Sequence, residues 1–232
     1  MGRFLPNSNL MPKSRSIVLL VAAESGRISG ISVSISTDGI GRLRLISQYS
    51  YGLNQRASEN NNVVEIYKKW NADEVRADLN PKRSKLVNIC QNLSGDFNIA
   101  TIIRSNNAFL GSATYIVGRK KYDSRGCCGT NHYEHVYHAD DFKEVVDRLH
   151  DEGYTVFAVD NWPQYHPRNL FDVKLPEKSA FCFGEERLGL SEDTINLCDD
   201  MIYINQVGSV RSLNVGCAAS IIMYEYSKQH KL

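Results

Sequence analysis

No run of apolar residues in this 232-residue chain approaches the ~20 that a membrane-spanning helix requires. Residues 17–23 form an apolar run after a few basic residues, as a secretory leader would. The run is at the short limit for one, however, and Glu24 closes it, so secretion is not expected. No Cys-x-x-Cys pair occurs. Cys90, Cys127, Cys128, Cys182, Cys198 and Cys217 lie singly or side by side, several of them inside apolar runs where a reduced thiol packs as a small hydrophobe, so a reducing cytoplasm fits best. A G-x-G-x-x-G run after a strand and a Walker A sequence are both missing, which disfavours dinucleotide and nucleoside triphosphate sites of those types. Excess charge of one sign is missing too. Lys and Arg number 27 against 26 Asp and Glu, a net +1, so any contact with nucleic acid has to come from local patches rather than from a global basic field.

What is present suits one main α/β domain with an appendage, and 42% hydrophobic content is enough for a buried core. Residues 1–62 are rich in Ser, Asn, Gly and Arg, with short strands expected near 16–22 and 31–35 and a polar break at 58–62. They read as an extension of unknown role: a small substrate-recognition module, a poorly ordered leader, or an over-called start with Met11 as a second candidate initiator. Residues 63–84 read as a helical linker. Ile66, Trp70, Val75 and Leu79 give a helical pattern over 63–79, and Asn80-Pro81 stops it. From residue 85 onward strands and helices alternate. Strands are expected at 86–90, 115–117, 155–159, 180–183 and 202–204, and helices at 99–110, 140–152, 192–198 and 213–230. Such alternation argues for a mostly parallel sheet.

Two blocks near the C-terminus carry the chemistry. Phe181-Cys182-Phe183-Gly184-Glu185-Glu186-Arg187-Leu188-Gly189-Leu190-Ser191 and Ile204-Asn205-Gln206-Val207-Gly208-Ser209-Val210-Arg211-Ser212-Leu213-Asn214-Val215 each read as a short apolar strand entering a Gly-containing loop that opens a helix. Backbone N–H groups are thereby exposed twice in one small region. Single glycines such as Gly184, Gly189 and Gly208 are usually plain loop glycines. The joint pattern, with an acidic residue two positions after Gly184 and Ser212-Leu213-Asn214 at a helix start, favours a binding site. Upstream, Asn98-Ile99-Ala100-Thr101-Ile102-Ile103-Arg104 puts an arginine in an apolar helix, where a charge is expensive unless it has an anionic partner or faces a cleft.

In order and spacing these three blocks resemble the motifs of the SpoU/TrmH family of RNA ribose 2′-O-methyltransferases, in the SPOUT superfamily. The resemblance covers residues 85–226. It implies a trefoil-knotted α/β domain with a mostly parallel sheet, one of the few exceptions to the rule against knots. It implies S-adenosylmethionine as cofactor, contacted at Gly184, Ile204 and Leu213, and a catalytic constellation of Arg104, Glu186, Asn98, Ser212 and Asn214. Arg104 would lie closest to the reacting ribose, either as base or as a phosphate clamp, with Glu186 holding it through a carboxylate fork. The RNA would be tRNA or rRNA, and the family's homodimers complete the active site across their interface. Where the commonest third motif has proline, this chain has Asn205, which bears on the rigidity of that loop. The alternative, a non-catalytic knotted RNA-binding or assembly factor, would not need Asn98, Arg104, Glu186, Ser212 and Asn214 intact.

Residues 118–126 place Arg119, Lys120, Lys121 and Arg125 with Tyr122 directly after a strand, and phosphate contacts with a stacking face are expected there. His132, His135 and His138 recur every three residues beside Cys127-Cys128. On a β-prone run that spacing alternates the rings between faces, so no metal site is expected.

Overall fold

The computed structural model describes residues 62–118 and 121–232, together with the backbone of three strands in the N-terminal part. Those strands, β1 (Ser14–Leu19), β2 (Gly30–Thr37) and β3 (Leu43–Ser50), form an antiparallel meander where two shorter strands were expected.

The helix expected over 63–79 is broken at Asn71. A 3-10 turn (Glu65–Tyr67) precedes it, and α1 (Ala72–Leu79) follows. The Asn71 side chain accepts from the N–H groups of Asp73 and Glu74, while the Glu74 carboxylate accepts from the Asn71 N–H, so a capping box starts a new helix inside the pattern. Then follow β4 (Leu86–Gln91), α2 (Asp96–Ala108), β5 (Ala113–Val117), β6 (Val136–Ala139), α3 (Phe142–Asp151), β7 (Thr155–Val159), β8 (Arg168–Asn169), β9 (Ser179–Phe183), α4 (Glu192–Ile195), β10 (Asp200–Tyr203) and α5 (Val215–His230).

Helix α2 begins three residues earlier than its apolar pattern suggested, and α4 stops three residues sooner. Ile204 lies beyond β10, and Leu213 lies in the loop ahead of α5, whose N-cap is Asn214. Strands β6 and β8 were not expected, because each is too short to carry a period of two.

Seven strands form a parallel sheet in the order β6-β5-β4-β9-β7-β10-β8, and β3 adds to β6 antiparallel through Ser47 opposite His138. Alternation along β4 shows the layering. Leu86 and Cys90 join one core with Ile99, Ile102 and Ile103 of α2 and Ile222 and Met223 of α5. Val87 and Ile89 join the other, with Val145, Val146 and Leu149 of α3. Helices α2 and α5 lie close together because small residues face each other: a Cβ on Gly216 would stand 3.0 Å from Thr101 Cγ2, and Ser105 Oγ bonds Ser220 Oγ at 2.9 Å. The small residues of α5 are thus used within one chain. Among the described residues no helix is long and apolar enough to cross a membrane.

Candidate active site

The C-terminal ends of three adjacent strands, at Phe183 of β9, Val159 of β7 and Tyr203 of β10, open into one cleft of about 860 Å³. In an open parallel sheet this edge is where ligands bind, because the loops leaving it splay apart. The cleft gathers Gly184, Ile204 and Leu213, the three expected cofactor contacts, along with Glu186, Ser212 and Asn214. Gly184 has a definite steric reason: a Cβ there would fall 2.5 Å from the Gly189 carbonyl carbon and the Leu190 nitrogen, so the close approach it permits is of the chain to itself. Ile204 is packed against the core, while Leu213 and Leu188 on the cleft wall stay exposed, Leu188 at 82%. The buried Oε1 of Gln206, also on the cleft wall, has no hydrogen-bond partner among the described residues. A mixed polar and apolar cleft of this size, with an unsatisfied acceptor on its wall, fits a nucleoside-type cofactor.

Glu186 joins the blocks. Its Oε1 accepts from Asn98 Nδ2 at 2.7 Å and from the Gly95 N–H at 2.9 Å, and its Oε2 accepts from the Ser94 N–H at 3.0 Å and Ser94 Oγ at 2.8 Å. A negative carboxylate thus sits at the N-terminus of α2, where the helix dipole favours it. Partial burial opposes the charge, but the hydrogen bonds from Asn98, the Glu186 backbone and Ser94 outweigh it and bring the carboxyl down to about 2. Because a carboxylate can only accept, Asn98 must turn its NH2 toward Glu186. Its Oδ1 then accepts from Asn214 Nδ2 at 2.9 Å, and Asn214 Oδ1 in turn caps α5 through the Cys217 N–H at 3.2 Å. One polar chain therefore runs from the loop after β9, through α2, to the N-terminus of α5. Any Cβ at Gly95 would stand 2.5 Å from both Asn98 Nδ2 and Glu186 Oε1 and would break it.

Several expectations change. Glu186 does not fork with Arg104, since its oxygens are occupied by Ser94, Gly95 and Asn98. Arg104 lies on the exposed face of α2, so no burial cost attaches to its charge, and its Nη1 donates to Cys128 Sγ at 3.2 Å. No carboxylate lies within ion-pair distance of it among the described residues, and it does not line the cleft. In the basic loop, Arg119 and Lys120 lie outside the described residues, and Lys121 is exposed. Arg125 is already engaged: its Nε reaches both Asp123 oxygens at 2.9 Å, and its guanidinium lies 5.8 Å from the Phe97 ring centroid. Tyr122 packs against the core instead of offering a free face.

His132 sits in a 3-10 turn, His135 Nε2 bonds Asn80 Oδ1 at 2.8 Å, and His138 lies in β6. Burial, then the charge of Arg83, brings His135 down to about 4, so it is neutral at physiological pH.

Sequence reading missed Ser94 and Gly95, whose Ser-Gly turn before α2 was the available signal. It also missed Asp160, which directly follows β7, lines the cleft and accepts from the Leu190 N–H at 2.9 Å. A carboxylate just past a strand end facing a glycine loop was the signal there.

A parallel α/β domain whose cofactor-sized cleft sits at the strand C-termini, with its three loop blocks tied by Glu186, Asn98 and Asn214, defines the class. The chain belongs to the SpoU rRNA Methylase family, which it matches over residues 85–224. It is 35% identical over 89 residues to a tRNA (guanosine(18)-2′-O)-methyltransferase of Thermus thermophilus, covering 38% of this chain and 45% of that enzyme. It is 27% identical over 168 residues to the mouse tRNA (guanosine(18)-2′-O)-methyltransferase TARBP1, covering 67% of this chain and 10% of the mouse protein. This chain therefore spans under half the length of both. Among solved structures, the SpoU methyltransferase AviRb of Streptomyces viridochromogenes in complex with AdoMet superposes with a TM-score of 0.58 at 25% identity, over 66% of this chain and 61% of that one.

Proposed function

We propose that this chain is an S-adenosylmethionine-dependent methyltransferase acting on a ribose 2′-hydroxyl in structured tRNA or rRNA. The observation that carries the reading is the bonded chain Glu186–Asn98–Asn214, which unites three separate sequence blocks at the mouth of one cleft. The Thermus and mouse relatives are named for ribose methylation of tRNA, and AviRb binds AdoMet, which supports the same substrate and cofactor classes here.

Gly184, Ile204 and Leu213 would hold the cofactor, with Gln206 Oε1 available as an acceptor. When bound, that cofactor supplies an electrophilic methyl group on a sulfonium. The chain's own task is then to align and deprotonate a weakly acidic hydroxyl. Free guanidinium is effectively always protonated, so Arg104 is poorly suited to be the base. Without a carboxylate partner, it is well suited to clamp the neighbouring phosphate and stabilise developing charge on the ribose oxygen. Ser212 and Asn214 would orient the groups around it.

Arg104 lies outside the cleft of its own chain, which supports a homodimer in which a second copy brings its Arg104 to the opening. Tyr224, 61% exposed on α5 and edge-on to Phe109, and the partly exposed Ile221 offer apolar surface for such an interface. The family resemblance likewise supports the knot.

Calorimetry with S-adenosylmethionine or S-adenosylhomocysteine is expected to give one site per chain, with thermal stabilisation that rises with ligand concentration. Radiolabelled methyl transfer into unmodified tRNA and rRNA transcripts, followed by mapping of ribose methylation, tests the activity. Cofactor binding without transfer into any RNA would favour the assembly-factor reading, and no binding at millimolar ligand would remove the cofactor assignment.

The basic loop makes a separate prediction. Neutralising Arg119, Lys120 and Lys121 together should flatten the dependence of RNA affinity on salt, by roughly 0.7–0.9 in log–log slope for each phosphate left without its cation. Arg125→Ala should leave the slope unchanged, because Asp123 already pairs with that guanidinium. Equal slopes for wild type and triple variant would show the loop to be a solvated turn.

A further inference from the structure

Cys128, weighed in the sequence only beside the histidine run, stands in the fold as the acceptor for Arg104. It closes the 3-10 turn Ser124–Cys127 in the left-handed conformation, φ 49° and ψ 39°, and Gly129 follows at φ 88°. A non-glycine residue held this way is strained, and such strain persists only where the surroundings over-determine it. Here they do. On one side of Cys128, Gly126 lies so close to α2 that a Cβ on it would stand 2.8 Å from Ala100 Cβ. On the other side, the Glu134 carboxylate accepts from Asn106 Nδ2 at 2.6 Å and Asn107 Nδ2 at 2.9 Å, and Arg83 pairs with it from behind at 2.9 Å. The side chains of Glu134 and Arg83 are only 1% and 5% exposed. Residues 124–134 are thus fastened to α2 at both ends, and the thiol between them is delivered to one fixed point beside Arg104.

The chemistry of the acceptor suits a holding role. Sulfur accepts a hydrogen bond weakly, and it takes one of the five guanidinium N–H groups, leaving four to meet a phosphate or ribose oxygen. A carboxylate in the same place would neutralise the charge and compete with RNA. We propose that Cys128 is a positioning residue for Arg104: its Sγ holds the guanidinium in one rotamer on the open face of α2 without consuming its charge. This role rests on the methyltransferase reading above.

Three variants test it. Cys128→Gly keeps the left-handed backbone without strain but lacks an acceptor. It should leave cofactor affinity and Tm near wild type, lower kcat roughly five- to tenfold and change the RNA KM less than about twofold. Cys128→Ser, with an oxygen acceptor, should recover most of that loss. Cys128→Asp should slow turnover further by trapping the arginine in an ion pair. A substrate-free readout accompanies them: the Arg104 side-chain 15N resonances, assigned by their loss in Arg104→Ala, should report restricted rotation in wild type and free rotation in Cys128→Gly. Unchanged Arg104 resonances or wild-type kcat in Cys128→Gly overturn the proposal. A wild-type chain that methylates no RNA overturns the proposed function, and this role with it. That failure is distinguishable because the resonances need no substrate.

Discussion

Arg104→Ala is expected to bind S-adenosylmethionine as tightly as wild type and to transfer methyl groups at least about 10²–10³-fold more slowly, the range found when one preorganised charge-stabilising donor is removed. The separation of the two effects follows from geometry. Arg104 is exposed on α2, bonded only to Cys128 Sγ among the described residues, and absent from the wall of the cofactor cleft. Truncating it leaves no buried group unsatisfied, so Tm should not fall with activity. Arg104→Lys is expected to fail as well, since a single ammonium cannot reproduce two parallel N–H donors to a phosphate. Single-turnover kinetics on a proven RNA substrate, paired with calorimetry on the same preparations, checks both parts. Substantial turnover by either variant, or cofactor binding that falls in step with activity, would sink the role given to Arg104.

Glu186→Gln should damage both stability and turnover, and its pH dependence has a definite sign. The Glu186 carboxyl titrates near 2 in the folded chain against an ordinary value of 4.5, so the folded state favours the ionised form. Its contribution is therefore fully present above about pH 4.5 and is lost as pH falls toward 2. At neutral pH the loss is expected to be about 1–2 kcal/mol. That is the scale of hydrogen bonds to a charged group, discounted because the carboxylate remains partly solvated. Glutamine keeps the shape but turns an NH2 toward donors from Ser94, Gly95 or Asn98, leaving at least one facing another donor. The start of α2 and the amide of Asn98 would shift together, and with them Asn214, so kcat should fall roughly 10–10²-fold. Thermal unfolding of wild type and variant from pH 7 to pH 2.5 provides the check. A stability gap that stays constant, or widens, on acidification would mean that Glu186 is not the ionised clamp.

The core and the motif positions were legible in the chain itself. The near-continuous apolar runs at 86–90, 155–159 and 180–183 suit strands buried on both faces, and Ser191 and Asn214 start α4 and α5 because their side chains satisfy otherwise orphaned N–H groups. The two C-terminal motif blocks likewise marked the cleft before any geometry, since loops leaving the same edge of a parallel sheet lie together. Asn71 could have been read as a helix start, but the apolar pattern across it is continuous, and only the bonds to Asp73 and Glu74 show which signal won.

The partners within the site were not legible, because hydrogen bonds between residues about 90 positions apart leave no local period. The resemblance paired Glu186 with Arg104, yet the N–H groups of Ser94 and Gly95 meet Glu186 once β9 pairs with β4, and a carboxylate satisfied by backbone and amide donors needs no cation. Arg125 was counted with its basic neighbours, while Asp123, two residues away, had already taken its charge. Composition, period and capping chemistry thus determined the elements, the sheet class and the edge that binds. Which polar group answers which, and where Arg104 points, was decided by the packing of α2 against α5 and residues 124–134, since only there do side chains distant in sequence compete for the same donors.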